Sequence, residues 1–542
     1  MKKYLVIAFF FASMSISAQS WQDTANMIDN IMNKYKNDGP GAEFAISRHG
    51  TLISTAKGMA DLEHMSPFTK TTKTEAGSVS KQFTAAAILL LEQQGKLSIN
   101  DDIRKYLPEI KDYGHVIRIY HLLHHTSGLR DWGSVISHSG WPRGTRAYTN
   151  NDAFQIIIRQ KSLNNIPGDE YIYSNSNYTA LTMIVQRVSG MSHAAFTKKY
   201  LFEPAGMKNT EWRDDHTRVV HNRAIAYSKE DGVYVTNMPN EDTYGHGGLL
   251  TTAEDLLLWN QFYLSGKFGS PSLFSRQTET MTLNNGKRNG YAAGLSTDPI
   301  NGWKAISHTG NTAAYFADLE YFPELGLSFA WLSNTTSVSF DDVPYSIRNL
   351  FVKNLPLTVS TELKTDSTID WKKFIPFSGA YRNEKTGSGF KLYSKDNGIY
   401  LLPNGGPLRT INNNTLGLGR GRLLFPDKQS GKLTVITAAG DTVIYSAIDT
   451  ALSDPASLQE YTGAYFSDET ESYMYVELRD GKLFIYPRKE MEEELMGIYK
   501  DAFIYPGAEI WFERDIKKGI TNFYITIARA RKVEFRKVYK IN

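Results

Sequence analysis

Cysteine is absent from all 542 residues. Its absence excludes disulfides, zinc–thiolate sites and a cysteine nucleophile, so any covalent chemistry falls to an oxygen or an amine. A surplus of one charge is missing too. Lys2 and Lys3 account for two of the 60 basic residues, and the remaining 58 face 57 acidic ones. Such balance gives no electrostatic case for nucleic acid or for an anionic membrane surface as partner. Nor is there a long hydrophobic run at the N-terminus. The apolar centre of "MKKYLVIAFFFASMSISAQS" is shorter than the roughly 20 residues that span a bilayer. Its two leading lysines and its small-residue Ser-Ile-Ser-Ala end predict a signal peptide over 1–18, cleaved after Ala18. The expected mature chain is exported, periplasmic or secreted, with no membrane span.

What is present describes an ordinary globular protein, 41% hydrophobic and 22% charged, too long for one core. Residues 41–58 read as two strands about a turn at His49-Gly50. Ser80 to Gln94 reads as a helix apolar on most sides, closing at Gly95. Residues 303–334 read as three strands, with Pro323 to Gly326 turning the last pair. Strands first, helices in the middle and strands last predict an α+β domain over 19–355, an antiparallel sheet flanked by helices. A polar, Thr-rich linker is expected over 356–369. Two all-β modules should follow, at 370–450 and 451–542, because "FSGAYRNEKTGSGF" from Phe377 and "YTGAYFSDETESYMY" from Tyr461 begin alike and each leads into a hairpin. They read equally as two modules or as two halves of one barrel. Turns are also expected at 439–441 and at Asp480-Gly481.

Ser-x-x-Lys occurs at Ser54/Lys57, Ser78/Lys81 and Ser388/Lys391. In a strand, residues three apart point to opposite faces, so the first and third pairs cannot meet. At a helix start, three apart is one turn on one face. Only Ser78 and Lys81 can form a nucleophile and its base. A lysine serves as base only when neutral, and burial beside an apolar helix lowers its pKa. The pair by itself reads as readily as a capping serine with a snorkelling lysine.

Further blocks decide between these readings. The chain carries "LLHHTSGL" (122–129), "PGDEYIYSNSNY" (167–178), "LFEPAGMKNT" (201–210), "GHGGLLTTAEDLLLW" (245–259), "SHTGN" (307–311) and "FPELGLSFAWLSN" (322–334). With Ser78 and Lys81, these resemble the penicillin-binding-protein-like serine hydrolases, which include class C β-lactamases, DD-peptidases, D-aminopeptidases and lactamase-fold esterases. The resemblance covers residues 25 to about 350 and implies a serine β-lactamase/DD-peptidase-like fold. It implies Ser78 as acylated nucleophile, Lys81 as its base, and Tyr173 as the group that hands a proton to the leaving atom. Asn175 would bind substrate and Lys81. His308, Thr309 and Gly310 would line the edge strand against the substrate. The Asn311 N–H would join that of Ser78 as the oxyanion hole. No cofactor and no metal are implied. A small peptide, amide or ester is the implied substrate, and the oligomeric state stays open.

One departure shifts the expectation. Lactamases and DD-peptidases usually carry lysine where this chain has His308, and a mostly neutral histidine suits a free substrate carboxylate less well. The expected activity is therefore aminopeptidase, amidase or esterase rather than carboxypeptidase or efficient β-lactamase. In layout the chain is most similar to D-aminopeptidases with C-terminal β-barrel modules, which implies a D-residue peptide or peptidoglycan fragment as substrate. Two rivals stand beside this: a lactamase-fold carboxylesterase or β-lactamase, and a penicillin-binding-type sensor that acylates without turnover. Tyr148-Thr149-Asn150 competes with Tyr173-Ser174-Asn175, but the Pro167-Gly168 lead-in and the apolar helix after Asn175 favour Tyr173. Lys385-Thr386-Gly387 copies the lysine form of the third motif in the hairpin region and is read as a loop. His121, His124 and His125 lack an acidic partner at zincin spacing and read as structural. His246 reads as part of a Gly-rich turn, and "GLGRG" (417–421) as a glycine pattern in a β region.

Overall fold

The computed structural model describes residues 21–48, 50–338, 343–355, 365–384, 386–402, 406–419, 421–425, 430–437, 442–450 and 454–539. The expected signal peptide, most of the expected linker, His49, Lys385, Arg420 and the 439–441 turn lie outside the described residues. Within them, no helix is long and apolar enough to cross a membrane.

Two strands from the start of the chain, β1 (Ala42–Arg48) and β2 (Thr51–Lys57), join three from residues 306–333. These are β3 (Ile306–Thr312), β4 (Tyr315–Phe322) and β5 (Leu327–Ser333). The order is β3-β4-β5-β1-β2, antiparallel throughout. Central β5 is buried along its whole length, as expected of a strand covered on both faces. Phe44, Phe329 and Trp331 face one side, in a core with Ile28, Met32 and Ile347. These come from the helices Trp21–Met32 and Pro344–Phe351. Ala45, Ala317 and Ala330 face the other side, toward the central helix. β3 is the edge strand among the named strands, and on its outer rim Ser307 exchanges backbone hydrogen bonds with Ser296 at 2.8 and 3.0 Å.

The central helix, α1, runs Lys81–Gln93 and every side chain from Lys81 to Leu91 is buried. Its Ala-Ala-Ala-Ile-Leu-Leu-Leu run combines high helix propensity with an all-round apolar surface. Each fully buried Leu or Phe there contributes about 1.5–3 kcal/mol. The start differs from the sequence expectation: Gly77–Ser80 is a turn of 3₁₀ helix and the α-helix begins at Lys81. A 3₁₀ turn eclipses side chains three apart, so this tighter start brings residues 78 and 81 into line. A second helix, α2 (Asn175–Ser189), packs on α1.

Two all-β units follow. Eight strands between Gly379 and Ile448 form one antiparallel sheet, and eight between Gly463 and Val538 close into a barrel through pairing of its first and last strands. They are separate sheets, not halves of one barrel. The barrel core, with Tyr465, Phe523 and Phe535, runs continuously into the core around α1.

Candidate active site

Ser78 is placed by its neighbours in the chain. The Ala76 N–H donates to the Leu249 carbonyl at 2.8 Å, and the Leu249 N–H donates to Ser80 Oγ at 3.2 Å. Glu75 accepts from buried Arg213 Nε at 2.8 Å and from the Gly248 N–H at 3.2 Å. The segment 245–251 thus grips the turn on both sides of the serine. Ser78 itself stays partly exposed.

Lys81 Nζ lies 3.0 Å from Ser78 Oγ, 2.9 Å from Asn175 Oδ1 and 2.6 Å from the His246 carbonyl. Two of these three partners can only accept. A neutral amine has two hydrogens and one lone pair, so the two carbonyl oxygens take the hydrogens and the lone pair faces the serine hydroxyl. Burial pushes the Lys81 pKa well below that of a free lysine, with nearby Asp131 opposing and Arg143 and Arg529 assisting. The Tyr173 hydroxyl donates to Ser78 Oγ at 2.8 Å. Burial pushes Tyr173 well above the usual tyrosine value, so it stays a donor at neutral pH. In the neutral-lysine form the three make one directional chain, Tyr173 O–H to Ser78 O–H to the Lys81 lone pair.

Tyr173 stands just ahead of α2, and its ring packs on His125 with centroids 4.3 Å apart. His125 Nδ1 accepts from the Ser174 N–H at 3.2 Å. The Asn175 N–H donates to buried Asp131 Oδ2 at 2.7 Å. Asp131 also caps the short helix Trp132–Ile136. The competing tyrosine is fully buried elsewhere, with the Tyr148 hydroxyl donating to the Trp141 carbonyl.

His308 is 9% exposed and faces Tyr291. Its Nδ1 sits 2.6 Å from the Thr309 carbonyl, an acceptor, so Nδ1 carries the hydrogen and Nε2 accepts from the Tyr291 hydroxyl at 2.9 Å. Burial, with Lys81 nearby, pulls its pKa down to about 3. The imidazole is neutral and packed behind Tyr291, a tighter placement than the substrate-lining position expected for it. Thr309 and Asn311 are exposed. Gly310 has no room for a side chain: a methyl there would stand 2.0 Å from the Ala76 carbonyl oxygen and 2.9 Å from Ser78 N. Gly77, at φ +48°, would place its own methyl 2.7 Å from Asn311 N. This double close approach sets the backbone nitrogens of Ser78 and Asn311 on facing segments, the arrangement an oxyanion hole requires.

Some functional contacts were out of reach of sequence reasoning. His246 touches Lys81 through its carbonyl, to which the residue type is irrelevant. Asp131, Tyr291 and Arg529 belong to no motif singled out above. The guanidinium of Arg529, on the barrel, lies 4.9 Å from the Tyr173 ring centroid. Among the described residues, the carboxylate and imidazole groups close enough to share a metal are Asp61, Glu63 and His64, none of them part of this site.

The Beta-lactamase family model matches residues 24–350, well over half of the chain. The chain belongs to the β-lactamase family. Protein flp of Staphylococcus aureus strain MRSA252 is 28% identical over 326 residues, covering 58% of this chain. That alignment spans 64% of the relative's length, a little under two thirds. Penicillin-binding protein 4* of Bacillus subtilis strain 168 is 29% identical over 319 residues, covering 54% of this chain and 68% of the relative. The crystal structure of D-amino acid amidase from Ochrobactrum anthropi SV3 complexed with D-phenylalanine superposes with a TM-score of 0.51 at 20% identity, over 60% of this chain and 99% of that one. The fold is therefore that of the β-lactamase and penicillin-binding-protein group, extended here by all-β units. Hydrolases are among its members.

Proposed function

We propose that this β-lactamase-family chain is an exported serine hydrolase that cleaves an amide or peptide bond in a D-residue-containing peptide or peptidoglycan fragment. The observation that carries the reading is the directional chain from Tyr173 through Ser78 to Lys81. Ser78 Oγ attacks the carbonyl carbon as its proton passes to neutral Lys81. The oxyanion takes hydrogen bonds from the Ser78 and Asn311 N–H groups. Tyr173 gives its proton to the departing nitrogen as that bond breaks and recovers one from Lys81. Water then attacks the acyl-serine by the reverse proton path, releasing the acid and restoring Ser78. The D-residue preference rests on the overall layout and on the likeness to the amidase fold. Export rests on residues 1–18 alone.

The test is turnover with intact-protein mass spectrometry on the mature chain and on Ser78→Ala, using a D-alanine amide, a D-alanyl-D-alanine peptide, a p-nitrophenyl ester and a β-lactam. Ser78-dependent release from the D-amide or the D-peptide is the expected result. Ester turnover alone would favour the carboxylesterase. A stable adduct without release would favour an acylating sensor. Equal activity in Ser78→Ala would remove the assignment.

A further inference from the structure

The barrel reaches the active site through one hairpin. Its last two strands, Ile520–Ile527 and Ala530–Val538, turn at Ala528-Arg529. That turn is held by its backbone. The Arg529 carbonyl accepts from the Asp131 N–H and from Asn164 Nδ2, both at 3.0 Å, and the Arg531 N–H donates to Asn164 Oδ1 at 2.7 Å. Arg531 adds an ion pair with Glu170 at 3.0 Å. The Arg529 side chain is thus projected from a fixed point. It is exposed, stacks over the Tyr173 ring and lines a cavity of about 650 Å³ between the barrel and the Trp132–Ile136 helix.

The arginines around it are paired. Arg143 binds Glu241, Arg130 binds Glu469 and Arg531 binds Glu170. Among the described residues, the Arg529 guanidinium makes no hydrogen bond or ion pair. A planar fork of donors held open at the mouth of a site is the form that recognises a carboxylate. Position 308, where many members of the family carry a lysine, contributes no charge here.

We propose that Arg529 is the specificity-determining residue of this enzyme, selecting substrates with a carboxylate on the half that leaves Ser78. The inference rests on the serine-hydrolase reading. Tyr173 delivers the proton to the departing atom, so a cation stacked on Tyr173 stands beside the departing half. The adjoining cavity gives that half room beyond the anion. The charge absent at position 308 is restored from a different part of the chain, and the expectation of poor carboxylate recognition drawn from His308 alone is reversed.

The experiment uses N-acetyl-D-alanyl esters of 3-hydroxybenzoate and 3-hydroxybenzamide, which differ in charge on the departing half, and an N-succinyl-D-alanyl ester of 3-hydroxybenzamide, charged on the acyl half. The readout is the ratio of kcat/KM values for the full chain, Arg529→Gln, Arg529→Lys and Arg529→Glu. The unaltered chain should prefer the carboxylate-bearing leaving group by about tenfold. Arg529→Gln should bring the ratio toward one, Arg529→Lys should recover part of it, and Arg529→Glu should invert it. Because the group is exposed, the preference should also shrink as salt rises. An unchanged ratio in Arg529→Gln, or a preference for the anion on the acyl half, would overturn the proposal. If turnover of the neutral ester is meanwhile lost in Ser78→Ala, the hydrolase reading survives that failure. Esters hydrolysed equally by Ser78→Ala would remove both.

Discussion

The two C-terminal β units begin alike and end with different neighbours. In each, the tyrosine of the opening Gly-Ala-Tyr donates to a carbonyl four residues back: Tyr381 to Phe377 at 2.8 Å and Tyr465 to Tyr461 at 2.7 Å. The next few residues diverge. In the barrel they are Asp468, Glu469 and Glu471, paired with Lys161, Arg130 and Arg159 of the β-lactamase-family domain. In the first sheet, Asn383 Oδ1 accepts from Thr386 within the turn, and the Gly387 carbonyl accepts from Tyr499 of the barrel at 2.5 Å. One scaffold therefore serves twice. The charged turn ties the barrel to the β-lactamase-family domain, whereas the corresponding turn of the first sheet packs against the barrel.

The comparison breaks most sharply at Glu469. Arg130 and Glu469 are 0% and 1% exposed, and removing one partner of such a pair strands the other charge, at a cost of about 3–5 kcal/mol. Glu469→Ala should lose that much in urea unfolding, with activity falling too, because the same interface holds Asp131. Replacing both partners together, Arg130→Met with Glu469→Leu, should recover most of the loss. Next comes the contact between the two units. Tyr499 is 5% exposed and packs in a cluster with Ala380, Ile498 and Ile504. Tyr499→Ala should cost about 2–4 kcal/mol and expose the first sheet to limited proteolysis, while Ser78-dependent turnover persists.

A smaller effect concerns pH. The proposed mechanism needs neutral Lys81, so kcat/KM should rise with pH along a limb well below the usual lysine value of 10.5. Arg529 disfavours the charged lysine, so Arg529→Gln should raise the Lys81 pKa and move the limb to higher pH. The pH profile on a neutral ester checks the sign. Stability has the same sense. The folded Lys81 pKa is depressed, so between that pKa and 10.5 the unfolded chain binds the extra proton. The fold then gains stability as pH rises through that window. At the bottom of the scale, Lys385→Ala, in the first unit's copy of a Lys-Thr-Gly motif, should leave kcat/KM unchanged.

The legible parts of this molecule were those whose cause is local. Segments broken by turns at His49-Gly50 and Pro323 to Gly326 point to β1 to β5, and helical spacing distinguishes Ser78/Lys81 from its two lookalikes in strand-like segments. The chemistry that decides protonation was less visible. His246 acts through its backbone, and Asp131, which no sequence motif marks, both caps the Trp132–Ile136 helix and holds the Asn175 N–H. His125, which reads as structural from the sequence, is the pad beneath Tyr173. Arg529 lies some 350 residues from Tyr173 in a unit whose composition says only β. The sequence distance between such partners is closed by tertiary packing, which no local pattern encodes.

The carbonyl of Arg529 has one more consequence, for how this protein fails under heat. A single barrel oxygen holds the N–H of Asp131, and Asp131 holds the N–H of Asn175. When the barrel loosens, that chain of two bonds slackens at the end nearest the lysine. The proposed turnover should then fall while the five-stranded sheet is still intact, and thermal inactivation should run ahead of the melting of the domain that carries the serine.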